Sequence, residues 1–249
     1  ETISIDNLDG TSSAPVIFTN YNNERVVIDG TIPITSSWTQ IGSSNLWRTK
    51  LTQDIWQLFI SWEEQVMARW PNAKFSDGTI WDNDNYWAKG TIDNDENAYS
   101  NGTIIDDPYT NSAGTLISLS AQGFDLDETN KEAIAILNLG SFRTWSRLVT
   151  NHSGNTFNYA TVPSWKTKHH YYYFEGRKEF LDQEGEWWVD TYNNKDSLYY
   201  VAGSGVNPNK LDFRGKVQSY AFSVNASEYL QIKNLEFFAT TVYFSNGDN

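Results

Sequence analysis

The chain has no cysteine among its 249 residues, which excludes a disulfide framework, a thiolate nucleophile and a cysteine-ligated metal. Basic residues are scarce: 18 Lys and Arg stand against 31 Asp and Glu, giving a formal charge of −13 and a pI near 4.6. Phosphate backbones and anionic lipid surfaces both demand a basic face, so nucleic acid and membranes are excluded as partners. No apolar run approaches the ~18 residues of a membrane span. The three histidines have no ligand-like spacing, and no histidine metal site is expected. Helical periodicity is nearly missing as well; only residues 52–59 and 75–86 argue for helix, and neither keeps a clean apolar stripe. No leader segment precedes the first strand-like run, and the chain opens on Glu1, which reads as a mature or trimmed N-terminus of an exported protein.

Aromatic residues, in contrast, make up 15% of the chain, with 11 Trp, 14 Tyr and 13 Phe. Such rings fill β cores or stack on the C–H faces of sugars while keeping a polar tip in water. One phrase occurs near each end. Residues 15–20 and 26–31 flank an Asn-rich turn at 22–25, and residues 219–224 and 229–238 flank another at 225–228. Apolar and polar residues alternate in both, the period-two pattern of a strand with one buried face. Asp9-Gly10 and Asp29-Gly30 supply turn chemistry between such runs. Short strands joined by tight turns suit a solenoid coil, which needs several stacked repeats and a cap.

These patterns divide the chain into first coils over 1–35, a β-rich insertion over 36–205 and resumed coils over 206–249. Within the middle part, Trp38, Trp47, Trp56, Trp62 and Trp70 recur among short alternating runs. Residues 133–139 and 143–149 read as two strands around Gly140-Ser141, and 171–174 and 186–189 as another pair before 198–201. Residues 77–109, with their Asp/Asn runs, read as a long surface loop. The last apolar run, 241–244, leads into a turn where a further coil would follow. The chain is therefore expected to be the N-terminal part of a longer protein.

The segments Val26-Val27-Ile28-Asp29-Gly30-Thr31 and Tyr229 to Phe238 resemble coils of a right-handed parallel β-helix of the pectate-lyase-like kind. Leu58-Phe59-Ile60 followed by Ala68-Arg69-Trp70-Pro71-Asn72 resembles the "LFVDG…ARWPN" segment of β-helix glycoside hydrolases. Phe180 to Asp190, then Ser197-Leu198-Tyr199-Tyr200, resembles their "LLDAPGEWYLD…LYYWP" segment. Two departures stand out: Glu184 replaces a usual Pro, and Val201-Ala202 replaces a Trp/Tyr-Pro step. The resemblance implies an all-β chain, with parallel β-helix coils at both ends and an aromatic-rich β insertion between them. It further implies a secreted or cell-surface bacterial protein acting on a polysaccharide or oligosaccharide, with its catalytic carboxylates on coils beyond Asn249. The alternatives are a non-catalytic carbohydrate-binding or filament-forming protein that self-associates through solenoid ends, and a polysaccharide lyase, for which Lys and Arg are sparse.

Among the residues present, Asp182, Glu184 and Glu186 form a carboxylate cluster that an alternating strand would place on one face. Glycosidases use two carboxylates about 5–9 Å apart, although Glu186 sits in a turn motif where it equally serves to cap backbone groups. Arg69 and Trp70 are the first candidates for sugar contact, since a forked guanidinium suits paired hydroxyls and an indole suits stacking. Their alternative is an ion pair and a core position. His169 and His170, beside Tyr171, Tyr172 and Tyr173, make the densest polar and aromatic patch; adjacent residues of a strand point to opposite faces, and His170 and Tyr172 are the candidates taken from it. His152 reads as a loop residue. The runs at 82–85 and 93–96 repeat hard oxygen ligands that would suit calcium, but lack the spacing of an EF-hand loop and read equally as an acidic surface.

Overall fold

The computed structural model describes residues 1–90, 102–129, 131–140, 143–163, 170–190 and 196–246. The chain forms two compact units: Glu1–Thr35, Gln53–Glu63 and Asp212–Asn249 make the first, and Ser36–Thr52 with Glu64–Leu211 make the second.

In the first unit, Tyr220–Asn225 runs parallel to Ile3–Asp6 on one side and to Thr241–Ser245 on the other. Val16–Phe18 pairs in parallel with Leu230–Ile232, and Val27–Asp29 with Glu236–Phe238. A separate antiparallel sheet places Phe213–Lys216 between Thr31–Pro33 and Leu58–Ile60. The core is small: Ile5, Ala221, Phe222 and Val224 are buried, and Phe18, Ile28, Leu230 and Phe237 pack against them. Asparagine does much of the turning. Asn7, Asn22, Asn23, Asn234 and Asn246 all have positive φ, a conformation whose cost Asn reduces by hydrogen bonding locally. Gly30 answers a different need, because a Cβ there would lie 2.6 Å from the Ala239 carbonyl oxygen.

The second unit is built on an antiparallel sheet in the order Ala88–Lys89, Tyr171–Glu175, Ile134–Asn138, Thr144–Ser153, Thr156–Tyr159 and Thr103–Ile105, with Arg69–Trp70 also pairing to Tyr171–Glu175. Burial alternates along Ile134–Asn138 and Tyr171–Glu175, so Ala135, Leu137, Tyr172 and Phe174 enter one core with Val149, Phe157 and Phe180. Each large side chain fully buried there contributes about 1.5–3 kcal/mol. A second antiparallel sheet runs Trp187–Asp190, Ser197–Val201, Leu46–Lys50, Thr39–Gln40.

The expected right-handed parallel β-helix is overturned. The chain is all-β, but its sheets are several and mostly antiparallel, and no stacked β-helix coils are shown among the described residues. Among the described residues, parallel ladders occur in the first unit, as short pairs, and the second unit adds an isolated parallel bridge from Met67 to Trp187. The physical reason is that period-two alternation encodes a strand with one buried face, whichever direction its neighbour runs. Self-association through solenoid ends loses its structural basis with the solenoid. The expected long loop over 77–109 also resolves differently: its described residues form a 3₁₀ turn at Thr79–Trp81, a short helix at Asn83–Tyr86 and strands at Ala88–Lys89 and Thr103–Ile105. Strands 171–174 and 186–189 exist but do not pair with each other; Trp187–Asp190 pairs with Ser197–Val201.

Candidate functional site

The antiparallel pairing of Arg69–Trp70 with Tyr171–Glu175 sets Glu175 opposite Arg69 and Phe174 opposite Trp70. It draws both expected sugar-contact residues inward. Arg69 is 2% exposed. Its Nε donates to the Pro71 carbonyl at 2.9 Å and its Nη2 to the Tyr86 carbonyl at 3.0 Å. The guanidinium lies 3.7 Å from the Tyr173 ring centroid and 5.6 Å from that of Trp87. Burial lowers its pKa to about 10, against the opposing pull of Tyr173, Glu175 and Glu186; the group stays charged at neutral pH. Trp70, 7% exposed, stacks on Phe174 at 6.1 Å and meets Phe124 edge-on. Neither side chain offers a face to a glycan.

Glu186 is fully buried. Its Oε2 accepts the backbone N–H of Asp182 and of Gln183, each at 2.9 Å, and Oε1 takes a longer contact from the Arg69 N–H at 3.4 Å. Burial raises its pKa to about 7, held back by those backbone donors. The carboxylate closes the turn that precedes Trp187–Asp190. Asp182 and Glu184 stand in that turn, not on the strand, so the three carboxylates do not share a strand face. Asp182 accepts a hydrogen bond from Asn72 Nδ2 at 2.7 Å. Glu184 lies against Gly203.

His170 and Tyr172 are interior as well. The His170 carbonyl accepts from the Gly90 N–H at 2.6 Å. Tyr172 donates its hydroxyl to Asp106 Oδ1 at 2.5 Å, while Asp106 Oδ2 accepts the Leu119 N–H at 2.8 Å. Burial raises the pKa of Asp106 and of Tyr172. His152 hydrogen-bonds through its Nε2 to the Gly154 carbonyl in a hairpin. His169 and the run 93–96 lie outside the described residues.

The other acidic run has local work. Asp82 accepts from the backbone and side chain of Asn85, and Asp84 Oδ1 accepts the Tyr171 hydroxyl at 2.6 Å. Among the described residues, no group of three or more His, Asp or Glu side chains is placed to hold a metal ion. Asp82 and Asp84 are thus both engaged in hydrogen bonds within the chain.

Exposed rings lie elsewhere. In the first unit the strand Leu58–Ile60 ends and the next opens at Glu63, so Ser61 and Trp62 form the turn. Their φ values are 50° and 73°, the signs of a two-residue hairpin turn that favours Asn-Gly. A tryptophan there costs roughly 1–2 kcal/mol in backbone strain, yet Trp62 remains 51% exposed. Its ring meets Phe238 edge-on at 4.6 Å, and Phe238 meets Phe59 at 4.8 Å. The Arg214 guanidinium sits 5.1 Å from its centroid. Arg214 is held in turn by Asp29 Oδ2 at 2.5 Å and Thr31 Oγ1 at 2.8 Å, and Asp29 Oδ1 accepts both the N–H and the hydroxyl of Thr31. Sequence reasoning passed over Trp62 as a site residue. The signal available was a large ring directly after a strand, at the position where a turn would take glycine.

No family model matches the chain, and no curated protein matches it. A solved structure titled "Glycoside hydrolase" superposes with a TM-score of 0.62 at 15% identity, covering 95% of this chain and 40% of its own length. The likeness is one of fold. The chain thus spans about two fifths of the protein it matches.

Proposed function

We propose that this chain is a carbohydrate-active module of a glycoside hydrolase that acts on a polysaccharide, with the acid and base supplied from outside these 249 residues. The observation that carries the reading is the shared fold with a glycoside hydrolase over 95% of the chain. The carboxylates support the second half of it. Glu186 is committed to a turn and Asp182 to Asn72, whereas hydrolysis needs two carboxyl groups facing one bond. Net negative charge favours a neutral glycan over an anionic one. A polymer too large to cross a membrane is met outside the cell or at its surface, which is where this reading has the chain act.

Glycan binding without hydrolysis is the second reading, favoured by the exposed Trp62 indole beside a charge-compensated pair. One assay separates the readings: retardation of the chain in native gels containing soluble polysaccharides, alongside release of reducing ends. Retardation without release is expected for the chain alone. Release that disappears with Asp182→Asn or Glu184→Gln would put the catalytic pair inside the chain. No retardation by any polysaccharide would remove the carbohydrate reading.

A further inference from the structure

We propose that Trp62, with Asp29 and Arg214 beside it, is a stacking platform for one ring of a neutral polysaccharide; the proposal rests on the carbohydrate-active reading above. The backbone carries the first argument. Ser61 and Trp62 both hold left-handed φ, and non-glycine residues kept in such strain concentrate at functional positions. Burial does not compensate it, since half of the residue stays in water.

The surroundings carry the second. Phe238, itself packed on Phe59, meets the ring edge-on, and Arg214 is clamped by Asp29 and Thr31. The indole is therefore held in one orientation before any ligand arrives, which lowers the entropic cost of binding.

Charge then selects the ligand class. A guanidinium already lies against the ring, so a cationic ligand of the kind aromatic cages take is repelled. Asp29 compensates Arg214, so an anion gains little. What fits is an uncharged ring with an apolar C–H face and hydroxyls at its rim: the face stacks on indole, and carboxylate acceptors and guanidinium donors stand alongside.

The test measures affinity of the whole chain in native gels containing xylan, galactan or mixed-linkage β-glucan, comparing wild type with Trp62→Gly, Trp62→Phe and Tyr21→Ala. Glycine is the residue this turn favours, so Trp62→Gly removes the platform while suiting the backbone; its thermal midpoint is recorded alongside. Tyr21, 81% exposed in the same unit, controls for the loss of any surface ring. The expected result is at least a tenfold loss of affinity in Trp62→Gly, a smaller loss in Trp62→Phe and none in Tyr21→Ala. Trp62→Phe keeps a ring against Phe238 and decides the matter if Trp62→Gly does not fold. Wild-type affinity in the folded Trp62 variants overturns the platform and leaves the carbohydrate reading standing. A wild-type chain retarded by none of the three overturns both.

Discussion

The guanidinium of Arg69 lies 3.7 Å from the centroid of the Tyr173 ring, with Nε on the Pro71 carbonyl and Nη2 on the Tyr86 carbonyl. A cation over an aromatic face gains about 2 kcal/mol or more when desolvated, and here it also satisfies carbonyls in the interior. Arg69 is a bolt between the strand it occupies and the helix Asn83–Tyr86.

Arg69→Ala is therefore expected to destabilise the chain by about 3–5 kcal/mol, the scale for breaking a buried charged network. Arg69→Lys keeps the charge but loses the fork and should be intermediate. Urea unfolding measures both. Under conditions where Arg69→Lys is folded, its affinity for polysaccharide should equal that of wild type; a selective loss of affinity would return Arg69 to a sugar-contact role.

Glu186 makes stability depend on pH. Its folded pKa of about 7 lies above the unfolded value of about 4.3. The native state thus holds this proton more tightly than the unfolded chain does, and the contribution is complete below the unfolded value and lost as pH rises through 7. Every tenfold difference in proton affinity between the folded and unfolded carboxyl is worth about 1.4 kcal/mol. The thermal midpoint of wild type is expected to fall between pH 5 and pH 8, and that of Glu186→Gln to fall less. Parallel curves for the two proteins would contradict the assignment.

Tyr172→Phe removes the hydroxyl from Asp106 Oδ1 and leaves a buried carboxylate oxygen without that donor. The cost should be about 1–3 kcal/mol, and it should be larger at pH 8 than at pH 4, because only the ionised carboxylate needs the missing donor. Chemical denaturation at the two pH values measures the difference.

Two glycines should respond differently to alanine. Gly30→Ala forces a Cβ against the backbone oxygens of Ala239 and Gln218, at 2.6 and 3.0 Å, and is expected to cost about 2 kcal/mol or more, as overpacking does. Gly42, at φ 60° with open space around it, should lose only about 1 kcal/mol from left-handed strain. Equal melting points for the two variants would refute the close approach at Gly30.

Local patterning alone marks this as a β protein and shows where several strands run. Ile134–Asn138 and Tyr171–Glu175 alternate visibly because the side-chain period of a strand is local, and the Asn-rich turn at 22–25 likewise holds its positive φ at Asn22 and Asn23. Direction and partner were not written locally: the same alternation fits a parallel or an antiparallel neighbour, and the choice belongs to contacts distant in sequence. That is why Thr103–Ile105 beside Thr156–Tyr159 could not be foreseen, and why stacked coils were expected at the two ends, where short parallel ladders stand beside an antiparallel sheet. Exposure followed the same rule. Arg69 and Trp70 looked like surface recognition residues, yet the Tyr173 ring, the Phe174 ring and two carbonyls give them interior partners. Trp62 is one of five tryptophans recurring among short alternating runs, and only the tertiary structure shows Phe238 and Arg214 packed on it while half of the residue stays in water. Composition sets how many rings a chain has; the tertiary structure decides which stay open, because burial depends on what distant residues bring to each face.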